Sequence, residues 1–333
     1  MTSSPPATLP AIALTGTDKP LTTFVLGTMS FGDTVADDVA ARLVTHALEH
    51  GITAIDTANV YAQGRTEEIL APLIAARRDD ILLATKAGMP HPDAGEHALL
   101  SRAGLRAAIH GSLSRLRTDH IDLFYLHQPD PQTPVEETLE AVTELRREGK
   151  IGALGVSNFA AWQIGDVAHA AQRVGTPGPV VAQNVYNLLA RRLEDEYVAF
   201  ARAHRVRTMC YNPLAGGLLA TVQQFEQEPT SPRYAGSRLA EMYRNRYWSR
   251  ELLEAVAELA GVADEAGLTL PELGLRWVLS QDGADAVLLG AGRLEHLVSN
   301  LRSVLEGPLD PDVLAACEEI SRPLRGPMPA YNR

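Results

Sequence analysis

The chain has little cysteine: two residues, Cys210 and Cys317, in 333. Neither has a Cys-x-x-Cys partner or a nearby histidine pair, so neither a disulfide framework nor a zinc site organises the fold, and no metal is expected. Sparse thiols suit a reducing compartment, and the cytoplasm is the expected location. Long apolar runs are missing too. None approaches the roughly 20 residues that span a bilayer, so no membrane partner is expected. The start, MTSSPPATLP, lacks the basic and apolar regions of a secretory signal. Residues 1–20 read as a flexible tail and 21–333 as one domain. A basic surplus is also absent. The net charge of −11 argues against a nucleic-acid partner, which would favour a basic face.

One further absence concerns glycine spacing. A doubly wound nucleotide-binding sheet usually carries G-x-G-x-x-G after its first strand. Here the first strand candidate runs into LGTMSFG. GAGRLE (290–295) begins G-x-G, but it follows the last strand candidate and has glutamate where the third glycine belongs.

What is present is an alternation. Eight short apolar runs, many of them β-branched, read as strands: 22–27, 51–56, 81–86, 121–127, 151–157, 179–184, 206–212 and 285–290. Amphipathic stretches of helical length lie between them, at 36–50, 66–77, 101–117, 134–148, 159–173 and 194–204. In 133–150, Thr133 is placed to cap, Pro134 suits the first turn, Glu136 stands where a capping-box carboxylate would, and Gly149 ends the helix. Strand followed by helix, eight times, predicts a parallel (β/α)8 TIM barrel. The segment 213–248 interrupts the rhythm. It is long, rich in proline, glycine and arginine, and follows the seventh strand, which places it over the barrel mouth.

The strand ends are polar. The second ends in Asp56 with Tyr61 just beyond, the third in Lys86, the fourth in His127. The fifth ends in Ser157-Asn158, the sixth in Gln183-Asn184, the seventh in Tyr211-Asn212. In a barrel these converge on one rim. A free phenol has a pKa of about 10 and is a poor proton source at neutral pH. A lysine ammonium beside it stabilises the phenolate and brings the pKa toward working range. Asp56 then holds Lys86, and a neutral His127 orients a carbonyl oxygen. This set suits protonation of an oxyanion as hydride arrives at carbon.

The segments DTANVY, LLATKAG, DLFYLHQPD, GVSNFAAW and YNPLAGGLL resemble, in order and spacing, the signatures of the aldo-keto reductase superfamily, from about residue 22 onward. LFYLHQPDPQTPVEETLEAV, AEMYRNRYW and the final YNR resemble its aflatoxin aldehyde reductase–succinic semialdehyde reductase subfamily. The resemblance implies an NADPH-dependent carbonyl reductase that takes a small-molecule aldehyde or ketone. It also implies a C-terminal tail over the barrel mouth and a homodimer. It makes Tyr61 the general acid, Lys86 and Asp56 its tuners, and His127 the carbonyl-orienting donor. It places Ser157, Asn158 and Gln183 at the nicotinamide carboxamide and Tyr211 against the nicotinamide ring. Asn212, Pro213, Leu214, Ala215, Gly216, Gly217 and Leu218 match the loop that wraps the pyrophosphate, and Arg233 a cofactor-contacting arginine. Gly292, Arg293, His296 and Asn300 fall in the segment that holds the adenosine and its 2′-phosphate. Met29 matches the substrate mouth, and Arg333 a C-terminal arginine near a substrate carboxylate.

Two departures bear on the cofactor. The loop after AGGLL commonly continues Gly-Lys in the family; here it continues ATVQQF. Where relatives often have two serines, this chain has Gly292-Arg293. Arg233 and Arg293 are expected to supply the missing charge, since an arginine fork suits a phosphate. Some residues keep two readings. Ser157-Asn158 also suits a helix cap. Arg244 and Arg246 read either as a solvated loop or as a substrate or subunit contact, with Arg246 carried forward as a substrate candidate. His46, His50, His91, His97, His110, His120, His169 and His204 read as surface or helix residues. Two other functions fit the same residues: a pathway-specific ketoreductase for a sugar or natural-product intermediate, and a cofactor-binding regulatory module like potassium-channel β-subunits.

Overall fold

A short antiparallel pair, β1 (Ala11–Ile12) and β2 (Leu21–Thr22), precedes eight parallel strands. These are β3 (Phe24–Gly27), β4 (Ala54–Asp56), β5 (Leu82–Ala87), β6 (Ile121–Leu126), β7 (Ile151–Ser157), β8 (Val181–Val185), β9 (Arg207–Tyr211) and β10 (Ala286–Leu289). Each pairs with the next in chain order, and β10 pairs with β3, so the sheet closes into a barrel. The computed structural model describes residues 9–326; the expected C-terminal tail and Arg333 lie outside the described residues.

Six helices follow the first six barrel strands: α1 (Asp37–Glu49), α2 (Arg65–Ile74), α3 (Arg102–Leu116), α4 (Val135–Arg147), α5 (Ala161–Val174) and α6 (Tyr197–His204). Between β9 and β10 lie α7 (Pro232–Ala235), α8 (Ala240–Tyr247), α9 (Arg250–Glu265) and α10 (Leu270–Leu279). After β10 come α11 (Leu294–Leu305) and α12 (Pro311–Ser321). This is the (β/α)8 barrel that the alternation predicts. The long segment after β9 is more ordered than its composition implies, because it contains α7 and α8. Among the described residues no helix is long and apolar enough to cross a membrane.

Two cores flank the strands. One lies between strands and helices and includes Leu26, Ile55, Leu83, Phe124, Leu154 and Val156. The other fills the barrel with Val25, Ala54, Leu82, Ala84, Leu123, Tyr125, Ala153, Val181, Met209 and Leu288. Side chains alternate along a strand with period two. Stepping by two along the inward parity takes Ala54 to Asp56, Ala84 to Lys86, Tyr125 to His127, Val181 to Gln183 and Met209 to Tyr211. The inward rows are therefore apolar at the bottom and polar at the C-terminal rim.

The bottom is closed by the stretch expected as a flexible tail. From residue 9 onward that expectation fails. Leu14 and Leu21 are buried in the barrel core, and Lys19 Nζ pairs with Asp122 Oδ1 at 3.0 Å while donating to the Ile81 carbonyl at 3.0 Å. Burial of these leucines outweighs the loop-like composition around them. The α4 start also differs. Pro134 holds the N-cap position, Thr133 donates to Asp130 Oδ2 at 2.8 Å, and Glu136 pairs with Arg173, so no capping box forms.

Candidate active site

Lys86 is the centre of the rim. Its ammonium is fully buried. It donates to Asp56 Oδ1, to the Thr57 carbonyl at 2.9 Å and to Tyr61 Oη at 3.2 Å. Three donors thus meet three acceptors, which is the condition for holding an ammonium out of water. The other Asp56 oxygen accepts from Gln183 Nε2 at 2.8 Å. Burial raises the Asp56 pKa, and Lys86 and Gln183 oppose that rise. For Lys86, burial lowers the pKa, but Asp56 and Tyr61 together outweigh it and the net direction is up. We therefore read the pair as carboxylate and ammonium.

Tyr61 differs from expectation. Lys86 does pull its pKa down, but burial pushes harder in the other direction, and the Asp56 carboxylate adds to the rise. The phenol is thus held above its ordinary value and keeps its proton through the neutral range. The Asp56 carboxylate thus works on the phenol against the ammonium that it holds. His127 follows β6 and is nearly buried. Burial, with Lys86 nearby, drives its pKa well below the usual range, so the imidazole is neutral. Its ring lies edge-on to Tyr61 at 6.0 Å between centroids, and Nδ1 is buried without a partner.

The turn that carries Tyr61 is unusual. Ala62 (φ 44°, ψ 35°), Gln63 (φ 53°, ψ 45°) and Gly64 (φ 89°) are successive left-handed residues. For a residue with a Cβ this conformation costs roughly 1–2 kcal/mol. The surrounding structure must impose it.

Ser157, Asn158, Gln183 and Tyr211 form one network. Ser157 Oγ donates to the Gln183 carbonyl at 3.0 Å. Asn158 donates to the His127 carbonyl at 3.0 Å and accepts from Tyr211 Oη at 2.8 Å. Neither Ser157 nor Asn158 caps α5, whose N-cap position is Ala160; the capping alternative is set aside. Gln183 turns its amide nitrogen to Asp56, so its oxygen is the end left for a ligand.

Past β9 the chain turns back through left-handed Asn212, Ala215, Gly216 and Gly217. Pro213, Leu214 and Leu218 lie in the same turn. Asn212 Oδ1 accepts from the Gly216 amide at 2.7 Å and fixes the bend. A Cβ on Gly216 would stand 2.5 Å from the Tyr243 ring, so glycine is required there for both space and φ. Arg233 reaches across the rim to Ser30 Oγ at 2.6 Å, next to Met29, while its Nη1 is buried with no partner. Arg244 Nε is engaged by the Tyr234 carbonyl at 2.6 Å, which makes it a loop brace. Arg246 faces the Tyr211 and Tyr247 phenols, which raise its pKa against the effect of burial. At the start of α11 Gly292 and Arg293 are exposed; within it His296 is exposed and Asn300 is buried. Arg293 sits at the N-cap position, where free amides favour an anion.

These positions suit a nicotinamide dinucleotide. The unpartnered Arg233 nitrogen and the helix N-terminus beside Arg293 could hold phosphate, and Tyr211 ends its strand at the rim. Sequence reasoning missed several supports. The Thr57 carbonyl, which the sequence did not single out, holds Lys86. His91, read as a surface residue, is nearly buried and pairs with Asp93 Oδ2 at 3.1 Å. Buried Glu67, bonded to Thr85 and Arg115, carried no signal in the sequence.

Comparison with known proteins agrees with the fold. The Aldo/keto reductase family matches residues 23–322. Human aflatoxin B1 aldehyde reductase member 2 is 36% identical, over 99% of this chain and 95% of its own. Human aldo-keto reductase family 7 member A3 is 37% identical over 93% and 96%. A probable voltage-gated potassium channel subunit beta of Arabidopsis thaliana is 33% identical over 89% and 92%. The chain belongs to the aldo/keto reductase family, oxidoreductases that act on carbonyl groups with a nicotinamide cofactor.

Proposed function

We propose that the protein reduces an aldehyde or ketone to the alcohol with NADPH, and that Tyr61 is the general acid. The observation that carries this reading is the Lys86 ammonium, which touches Asp56, the Thr57 carbonyl and Tyr61 Oη at once beside a neutral His127. When bound, the dihydronicotinamide supplies hydride. The protein's part is to place and protonate. His127 donates one N–H to the carbonyl oxygen. Tyr61 Oη gives its proton to that oxygen as negative charge develops there. The Lys86 ammonium, 3.2 Å away, stabilises the phenolate left behind, and Asp56 keeps Lys86 aimed.

Ser157, Asn158 and the Gln183 oxygen hold the carboxamide, and Tyr211 stacks on the ring. Residues 212–218 wrap the pyrophosphate with Arg233. Arg293, with His296 and Asn300, holds the adenosine end and its 2′-phosphate, which makes NADPH the preferred cofactor. Met29 and Arg246 edge the substrate. An assay of aldehydes, ketones and keto acids with each cofactor tests the reading. We expect NADPH oxidation with at least one carbonyl class, and a kcat/KM for NADPH at least about tenfold above that for NADH, the worth of one charge-assisted hydrogen bond. No turnover across the panel with either cofactor overturns it.

A further inference from the structure

We infer that Arg115 is a positioning residue for the proton donor, acting through the strained turn that carries Tyr61. The inference rests on the proposed role of Tyr61. Arg115 lies on α3, outside the barrel, and touches neither Lys86 nor His127 in any hydrogen bond. Its side chain nevertheless packs on the end of the Tyr61 turn. A Cβ on Gly64 would stand 2.7 Å from both Cδ and Nε of Arg115. The guanidinium Nε donates to Glu67 Oε2 at 2.8 Å. Its two terminal nitrogens grip both Asp93 oxygens, at 3.0 and 2.7 Å.

Glu67 is fully buried in the first turn of α2, directly after the left-handed residues, and its other oxygen accepts from Thr85 at 2.6 Å. Thr85 is the strand neighbour of Lys86. Asp93 belongs to the turn 92–94 after β5, where it also faces His91. Room has been left for this carboxylate as well, because a Cβ on Gly111 would stand 2.4 Å from Asp93 Oδ2.

One guanidinium thus ties the turn after β4 to the turn after β5, and both to α3. Ala62 and Gln63 relax out of the left-handed region unless something prevents it. Glu67 fixes the helix end of that turn, and Arg115 lies directly against Gly64, leaving no room for a side chain there. The span from Lys86 Nζ to Tyr61 Oη is set at one end by Asp56 and at the other by this clamp. Lysine cannot replace the fork, since one ammonium does not bridge two carboxylates in that geometry.

The test uses Arg115→Ala, Arg115→Lys and Asp93→Asn in the full chain. The readouts are kcat, KM, NADPH affinity by fluorescence, melting temperature, and kcat with added guanidinium ion. We expect Arg115→Ala to lose about 100-fold in kcat, as misplacement of a reacting group by about 1 Å does. NADPH affinity should change less than about threefold, well under one charged contact. Arg115→Lys and Asp93→Asn should fall between, and guanidinium should restore part of the Arg115→Ala loss. A merely structural role would lower the melting temperature without separating kcat from cofactor affinity. Wild-type kcat in folded Arg115→Ala overturns the inference. If that variant does not fold, wild-type kcat in both Arg115→Lys and Asp93→Asn overturns it. In either case parental turnover would leave the carbonyl-reductase reading standing.

Discussion

The two sides of the barrel mouth are built differently. On the β4–β6 side, Asp56, Thr57 and Lys86 are fully buried, His127 nearly so, and every donor on Lys86 has its acceptor. On the β9–α11 side the chain bends through left-handed residues, Arg233 keeps one nitrogen unpaired, and Gly292, Arg293 and His296 are exposed. The first side has its charges paired internally, Lys86 against Asp56. The other keeps an arginine nitrogen and a helix N-terminus unpaired. The difference separates two tasks: proton transfer needs groups whose charge states are set before substrate arrives, while cofactor binding needs an open path in and out.

If the buried side is as tightly coupled as its geometry indicates, Lys86→Met should have the largest effect on folding. It leaves the Asp56 carboxylate buried without a counter-ion, and breaking such a pair costs about 3–5 kcal/mol. Urea denaturation at neutral pH measures this, and a loss under about 1 kcal/mol, the worth of an exposed pair, would show that Asp56 is not held as an ion. The open side should respond more weakly and only to its ligand. Arg293→Ala should raise the NADPH dissociation constant by about tenfold, near the low end for a hydrogen bond to a charged group. NADH binding and the melting temperature should stay as they were. Equal loss for both cofactors would move the 2′-phosphate away from Arg293.

A further expected effect concerns pH. His127 is held neutral in the fold, so the unfolded chain takes up a proton that the folded one refuses. Stability is therefore present above the unfolded pKa of about 6.5 and is lost as pH falls below it, by at most about 1.4 kcal/mol per pH unit for one proton. His127→Gln should flatten the melting-temperature profile between pH 6.5 and 5 relative to the parent. An unchanged slope would assign that dependence to other groups.

Much of the fold was legible because a closed barrel imposes period two on every strand. The same parity that buries Ala84 and Tyr125 delivers Lys86 and His127 to the rim, so strand ends could be read for chemistry one at a time. In a chain with three lysines, Lys86 at such an end is conspicuous. Other features had no local signature. Ala62 and Gln63 are ordinary residues, and only their packing makes them left-handed. The Glu67–Arg115–Asp93 clamp joins residues up to 48 apart, a distance no periodicity spans. The hairpin that closes the barrel bottom hides two leucines in a polar, proline-bearing stretch. The direction of the Tyr61 shift depends on burial weighed against Lys86, and burial at a turn cannot be read from composition.

The central claim is that Tyr61 supplies the proton and contributes little to holding the cofactor. Tyr61→Phe removes one oxygen from a site otherwise closed around Lys86. Measured on the same preparation, kcat should fall by about 100-fold or more, the range for loss of a positioned general acid, while the NADPH dissociation constant stays within about twofold. Turnover at the parental rate in Tyr61→Phe would contradict the account.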